Sequence, residues 1–139
     1  MSARESGPVR ETAAMISGMD PVLDARWWSF VGGEDPELVF QLMGHALATF
    51  REEEGLSLIV PHEVALANEI EADPYARITL RVHSALDGVG LTAAVSGALA
   101  GAGIACNMVA ALRHDHAFVP ADRADEALAL LKELQHSLR

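Results

Sequence analysis

The chain has 139 residues, of which 50% are hydrophobic and 22% charged, so its composition excludes a disordered protein and predicts one folded domain or two very small ones. With 20 acidic and 10 basic side chains the net charge is -10, which excludes nucleic-acid binding as a main function. The single cysteine excludes an intrachain disulfide, and residues 1–8 lack the apolar stretch of a signal peptide. Both features favour a cytoplasmic protein.

The N-terminal half predicts a mixture of helices and strands. Apolar residues at helical spacing between Val9 and Met19 predict a short first helix, which Asp20-Pro21 ends. Glu53-Glu54-Gly55 between two apolar segments predicts the turn of a hairpin. The elements expected after the first helix are a strand over 26–31, a loop over 32–36, a segment over 38–43 that fits strand or helix, a hairpin over 46–60 and a helix from 62 to about 70.

The C-terminal half has a clearer pattern. Residues 76–83 alternate between apolar and polar side chains, which predicts a strand with one buried face. The expected elements after it are a glycine-containing loop over 84–90, a helix over 91–102 rich in small residues, a buried strand over 104–112, a strand over 114–119, and a last helix capped by Asp122. The resulting order, β-α-β-β-α, is one strand short of a ferredoxin-like unit. The missing strand must come from the other half, from a partner, or not exist.

One uncharged stretch is long enough to span a bilayer. Residues 88–112 are 25 residues without a charge, but 13 of them are alanine or glycine, and Gly101-Ala102-Gly103 interrupts the stretch. A buried helix followed by a strand is the better interpretation, so no membrane span is expected.

The two halves differ in charge. Residues 1–75 hold 14 acidic and 4 basic side chains, whereas residues 76–139 hold six of each. We therefore expect a boundary near Ala72-Asp73-Pro74, which gives domains of residues 1–74 and 75–139. Pro61 and Pro120 each stand between an apolar segment and a predicted helix, which suggests an internal duplication. Chance similarity in an alanine-rich chain remains the alternative.

Few residues point to catalysis or metal binding. His114 and His116 share one strand face, but no third ligand stands at a suitable spacing, so a hydrogen-bonded pair is favoured over a metal site. Cys106 lies in a predicted buried strand and is expected to be inert. Of Trp27 and Trp28, one ring is expected in the core and the other at a subunit contact or in a lid. We expect no metal, no cofactor and no enzymatic activity.

Three short motifs in the C-terminal half resemble an ACT domain, a small regulatory module that binds amino acids. They are Arg81-Val82-His83-Ser84, Gly90-Leu91-Thr92-Ala93 and Gly103-Ile104-Ala105-Cys106-Asn107. The segment from His114 to Pro120 is similar to a group of short standalone bacterial proteins with two ACT-like units. Their function is unassigned, and they are related to the ACT units of aspartate kinases. Gly88-Val89-Gly90 replaces the Pro-Gly that is usual in the first loop.

This resemblance implies a fold and a site. The expected fold is α+β, with two tandem ferredoxin-like (β-α-β-β-α-β) units, of which the N-terminal one is divergent. In ACT domains, an effector lies between the first loop of one unit and the second strand of its neighbour. Carried over to this chain, the loop residues are His83, Ser84, Asp87, Gly88, Gly90 and Leu91, and the residues across the interface are Ile104, Ala105 and Asn107.

General chemistry agrees in part with that site. A glycine loop entering a helix offers free N–H groups to a carboxylate, Asp87 could accept an amino group, and Asn107 both donates and accepts. His83 fits a loop anchor and a ligand contact equally well. The resemblance therefore predicts a regulatory or sensor protein that binds a small molecule, most simply an amino acid, as a homodimer. The alternative is an interaction module of the same fold without a ligand.

Overall fold

The computed structural model describes residues 7–138, which contain five α-helices and six strands. Residues 1–8, in which we expect no signal peptide, lie mostly outside the described residues. The helices are α1 (Thr12–Ser17), α2 (Pro36–Met43), α3 (His62–Ala67), α4 (Leu91–Gly101) and α5 (Ala124–His136). The strands are β1 (Pro21–Gly33), β2 (Ala48–Glu52), β3 (Gly55–Pro61), β4 (Tyr75–Leu80), β5 (Asn107–Ala110) and β6 (Asp115–Pro120).

The strands are hydrogen-bonded in the order β2-β3-β1-β4-β6-β5. β1 pairs antiparallel with β3 in the register Trp28↔Pro61, and β2 pairs antiparallel with β3 in the register Thr49↔Leu58. β5 pairs antiparallel with β6, and Asn107 lies opposite Phe118. These pairings confirm the expected α+β class, and β2 and β3 form the hairpin predicted from Glu53-Glu54-Gly55.

Contacts divide the chain into two compact units. One, the split unit, combines the chain up to Asp24 with the chain from Arg77 onward; the other, the continuous unit, is Ala25–Ala76. The expected domains, 1–74 and 75–139, divide the chain by sequence order instead, and that boundary stays a prediction.

The split unit supplies the strand that the C-terminal series lacks. The first residues of β1 lie beside β4, and at the end of β4 the N–H groups of Arg81 and Val82 donate to the carbonyls of Asp20 and Met19 at 3.3 and 3.2 Å. Of the three possibilities left open by the sequence, the missing strand therefore comes from the N-terminal half.

The helices of the split unit pack on one another. The Glu11 carboxylate accepts from the N–H groups of Ala13 and Ala14 and so caps α1. The amide of Gln135, in α5, donates to the Ser17 carbonyl at 3.0 Å and joins the ends of α1 and α5. The core comprises fully buried apolar residues, among them Met15, Met19, Ile78, Leu80, Val95, Leu99, Phe118 and Leu131.

The continuous unit has a smaller core. α2 begins with Asp35, whose carboxylate accepts from the N–H of Glu37, and with Pro36 in the first turn, where a missing N–H costs no helical hydrogen bond. The segment 38–43, whose sequence fits strand or helix, is thus helical. Trp28 is 5% exposed and Trp27 is 52% exposed, so one ring is in the core, as expected. The core residues are Val31, Leu42, Leu58, Val60 and Ala65.

Two expectations about elements are wrong. The strand expected over 104–112 is only Asn107–Ala110, and it lies at the edge of the sheet with both end residues exposed, not buried. An apolar run does not by itself distinguish a strand from the loops beside it. Asp122 lies in a 3-10 turn (Ala121–Arg123) and does not cap α5, which begins after Arg123 without a side-chain cap.

The two prolines suspected of marking a duplication have the same backbone conformation. Pro61 has φ -56° and ψ 136°, and Pro120 has φ -53° and ψ 135°. Each ends a strand and directly precedes helical backbone, which supports the duplication hypothesis. Within residues 7–138, no helix is long and apolar enough to cross a membrane.

Candidate functional site

The predicted ligand loop, residues 84–90, is held by the chain segment before α1. The N–H of Val9 donates to the His83 carbonyl at 2.7 Å, and the N–H of Ala85 donates to the Val9 carbonyl at 2.8 Å. Gly88 closes a turn within the loop by donating to the Ala85 carbonyl at 2.9 Å. The loop therefore has a defined shape although it belongs to no strand or helix.

Gly90 takes this loop into α4 in a conformation that favours glycine. Its φ is +107°, in the left-handed region, and a Cβ placed on it would lie 2.7 Å from Cγ2 of Thr12. The Thr12 hydroxyl donates a short hydrogen bond to the Val89 carbonyl. Within the described chain, no side chain caps α4, and its first turn carries no acidic residue. The N–H groups of that turn therefore have no side-chain acceptor within the described residues, and the helix dipole there favours negative charge.

A cavity of about 140 Å³ opens beside this loop, and all its lining residues belong to the split unit. Four of the predicted site residues line it: Ser84, Gly88, Gly90 and Leu91. The structure adds Met15, Ala85, Leu86, Thr92, Ala110 and Asp115.

Ser84 and Asp115 form the polar side of the cavity. The Ser84 hydroxyl, in a residue that is 9% exposed, donates to Oδ2 of Asp115 at 3.4 Å. The cavity thus combines a carboxylate and a hydroxyl with the N-terminus of α4, so it offers acceptors for a cation and donors for an anion. Groups of both signs within one small cavity suit a zwitterion.

The other predicted site residues lie outside the cavity lining. Asp87 is exposed, and its carboxylate pairs with the Arg10 guanidinium at 2.9 Å. The hydrogen bond from Arg10 and its positive charge lower the pKa of Asp87. His83 is half-buried, Ile104 is buried in its own unit, and Ala105 and Asn107 are exposed. The expectation that Asn107 lies on a buried strand is therefore wrong.

Sequence reasoning missed Asp115 and Met15. Asp115 stands between His114 and His116, two residues of one strand face. Alternation alone could have placed its side chain away from the histidines, but not opposite Ser84. Met15 reaches the cavity only because the chain up to Asp24 folds with the C-terminal half. No local signal in the sequence reports that arrangement.

The histidines and the cysteine have ordinary structural surroundings. Nδ1 of His116 lies 3.0 Å from the Thr79 hydroxyl, which fits the hydrogen-bonded role expected of this histidine. Burial, and then the nearby charge of Arg77, lower the pKa of His116. Burial raises the pKa of the Cys106 thiol, which disfavours the nucleophilic thiolate. Across residues 7–138, no group of three His, Cys, Asp or Glu side chains is arranged to hold a metal ion.

Comparison with solved structures reveals several relatives. A protein of unknown function from Vibrio cholerae, described as a possible transport protein, is 38% identical, with a TM-score of 0.75 over 88% of this chain and 94% of that chain. The regulatory subunit of aspartate kinase from Thermus flavus is 14% identical, with a TM-score of 0.57 over 82% and 95% of the two chains. Clostridium acetobutylicum aspartate kinase is 9% identical, with a TM-score of 0.68 over 98% of this chain and 37% of that one. At 14% and 9% identity these last two structures show a shared fold only.

Family models agree with this fold. An ACT-domain model matches residues 8–77 and a second ACT-domain model matches residues 74–133. No curated protein matches the chain. Together, the two matches and the 38% identical structure show that the chain belongs to the ACT-domain family, whose members are typically ligand-binding regulatory units, and that it carries two such domains in tandem.

Proposed function

We propose that this chain is a regulatory or sensor protein that binds a free amino acid in the split unit and catalyses no reaction. The observation that carries the proposal is the cavity in which the Ser84–Asp115 pair meets the uncapped N-terminus of α4. The single cysteine supports a cytoplasmic location for such a sensor.

Each end of an amino acid has a partner in this cavity. The α-carboxylate accepts from the N–H groups at the start of α4, beside Gly90 and Leu91, where the helix dipole favours negative charge. The α-ammonium donates to the carboxylate of Asp115 and to the hydroxyl of Ser84. Asp115 suits this role better than Asp87, because Arg10 already neutralises Asp87. The net charge of -10 opposes an anionic group only weakly, because physiological salt screens charge beyond roughly 8 Å.

A homodimer would complete the site. β5 is an edge strand, and residues 104–112 around it carry no charge that would discourage pairing with another strand. We propose that two copies pair through this edge, so that Ala105 and Asn107 of one copy approach the 84–90 loop of the other. Ile104 would contribute through its backbone, because its side chain is only 3% exposed. His83 would anchor the loop.

A thermal-shift screen with the amino acids, followed by calorimetric titration, tests the proposal. A ligand that binds only the folded state raises the melting temperature by mass action. We expect Asp115→Asn to weaken binding of the amino acid found in the screen by roughly tenfold or more, which is the loss of one charge-assisted hydrogen bond. Asp125→Asn removes the same charge from α5, outside the cavity lining, and should leave the affinity unchanged.

Two outcomes would count against this function. If no amino acid shifts the melting temperature at roughly millimolar concentration, the ligand is not an amino acid or there is none. If one binds with equal affinity to wild type and Asp115→Asn, the site lies elsewhere.

The continuous unit gives some support to a second function, protein interaction without a ligand. It exposes three large apolar side chains on α2 and β2, namely Phe40 (79% exposed), Met43 (51%) and Phe50 (72%). Large apolar side chains left exposed to solvent favour contact with another protein. This function becomes the better proposal if the amino-acid screen is negative.

A further inference from the structure

Met15 of α1 forms one wall of the cavity and is 1% exposed. Its thioether lies directly against the ligand loop: a Cβ placed on Gly88 would be 3.0 Å from Sδ of Met15 and 3.2 Å from its Cε. The side chain therefore fills the space between α1 and the loop. Any ligand in the cavity must fit in the volume that Met15 leaves.

The helix that carries Met15 is fixed at both ends. Before α1, Arg10 pairs with Asp87 of the loop at 2.9 Å, and the Thr12 hydroxyl bonds to the Val89 carbonyl. At its end, the Ser17 carbonyl accepts from the Gln135 amide at 3.0 Å. Withdrawal of α1 from the loop would break these contacts, and the partly buried bond from Gln135 favours a wall that keeps its position.

The remaining volume is small for a ligand site. The cavity measures about 140 Å³. Pockets for drug-sized ligands typically have roughly 300–1,000 Å³. A cavity of this size accommodates glycine, alanine or serine, whereas leucine, phenylalanine or lysine would need Met15 to be displaced.

We infer that Met15 determines specificity and restricts the ligand to an amino acid with a small side chain. This inference rests on the proposed amino-acid function and extends it to a class of ligand. Serine fits the cavity well, because its hydroxyl can donate to the Ser84 hydroxyl, whose own proton is donated to Asp115.

Titration of the full-length chain with a panel of amino acids tests the inference. Wild type should bind glycine, alanine or serine at least about tenfold more tightly than leucine or phenylalanine, the discrimination expected when a side chain exceeds its pocket. Met15→Ala should narrow that ratio by about tenfold or more, because the truncated side chain frees volume for the larger ligands.

Met19→Ala is the matched control. Met19 is 0% exposed in the same unit but does not line the cavity, so its truncation also removes core volume and should leave the preference for small ligands unchanged. If Met15→Ala fails to fold, Met15→Val replaces it, and the preference of wild type is informative without any variant.

The possible results separate the two proposals. Equal affinity of wild type for leucine and alanine, or an equal effect of Met15→Ala and Met19→Ala, overturns the role of Met15 and leaves amino-acid binding intact. If no amino acid binds, the proposed function fails, and the inference fails with it.

Discussion

At Gly90 the backbone conformation and the packing restrict the same position. The φ of +107° strains any residue that has a Cβ. A Cβ at this position would also lie 2.7 Å from the methyl carbon of Thr12. We expect Gly90→Ala to lower the free energy of unfolding by about 1–3 kcal/mol, measured by urea denaturation. Gly97→Ala, within α4 where nothing lies within 4 Å of an added Cβ, should instead stabilise the chain by about 0.5–1 kcal/mol. An equal change in the free energy of unfolding for the two variants would contradict the strain that we assign to Gly90.

His116 is expected to make stability depend on pH. Burial and the charge of Arg77 lower its pKa in the folded state. The unfolded state therefore binds the proton more readily, so this contribution is present above the unfolded pKa of about 6.5 and is lost as the pH falls through the interval below it. His116 is partly exposed, which limits the effect.

The test compares melting temperatures at about pH 7.5 and about pH 5.5, on either side of the unfolded pKa of histidine. His116→Gln should lose less stability over this interval than wild type does. His136→Gln, an exposed residue in the last turn of α5, controls for the loss of one imidazole. A variant His116→Gln that follows the wild-type curve would show that His116 is not responsible.

The predicted residues that line the cavity, Ser84, Gly88, Gly90 and Leu91, all lie in one loop or directly after it. Gly90 could be predicted because glycine is favoured where a loop turns sharply into a helix and its backbone passes close to other groups. Asp115 could not be recognised, because its role depends on Ser84, which is 31 residues away in the chain. Asp87 was favoured because it lies in the loop itself, whereas its partner Arg10 is 77 residues distant.

An ion pair joins the start of β1 to β4. Removing it tests whether the start of β1 is held in the split unit. Nε and Nη2 of Arg77 both donate to Oδ2 of Asp24, at 3.1 and 2.8 Å, and the two side chains are 22% and 19% exposed. We expect Asp24→Asn to lower the free energy of unfolding by about 1–3 kcal/mol, because the pair is largely desolvated.

The exposed pair between Arg10 and Asp87 is the control for that change. Asp87→Asn removes the same charge where solvent screens it, so stability should change little, as is usual for surface pairs. Chemical denaturation of both variants gives the comparison. A loss for Asp24→Asn no larger than that for Asp87→Asn would mean that the pair contributes nothing to holding β1 in the split unit.

Elements with strong local signals were predictable, and those defined by distant partners were not. The β2–β3 hairpin follows from its Glu-Glu-Gly turn, and α5 from its apolar spacing. The extent of β5 does not, because residues 104–112 are apolar except for Asn107 and only pairing with β6 decides which of them form a strand. The segment 38–43 was ambiguous until Asp35 and Pro36 could be seen to begin a helix.

For the whole molecule, the account predicts a dimer in solution. Sedimentation at tens of micromolar, roughly where a modest interface is already occupied, should give the mass of two chains. Val109→Lys places a charge on the β5 edge and should shift the chain to monomer. Thr49→Lys places the same charge on β2, the strand at the other end of the sheet order. This variant should remain a dimer. A wild-type monomer, or equal dissociation of both variants, would contradict pairing through β5.

The arrangement of the whole chain was harder to predict from the sequence than single residues or elements were. Composition and charge indicated two halves, and the resemblance indicated two similar units. The grouping of residues 7–24 with the C-terminal half depends on contacts such as that of Gln135 with Ser17, 118 residues apart. Periodicity reports only which residues are buried, not which distant segment buries them.

The central claim is that the split unit alone binds an amino acid. No side chain caps the described beginning of α4, whereas in the continuous unit the Asp35 carboxylate accepts from the N–H of Glu37 at the start of α2, Pro36 lacks an N–H and Glu37 adds negative charge. The most direct test is the stoichiometry of a calorimetric titration with the amino acid that raises the melting temperature most. We predict one amino acid bound per chain. A stoichiometry of two per chain, or no binding heat at roughly millimolar concentration, would contradict the account.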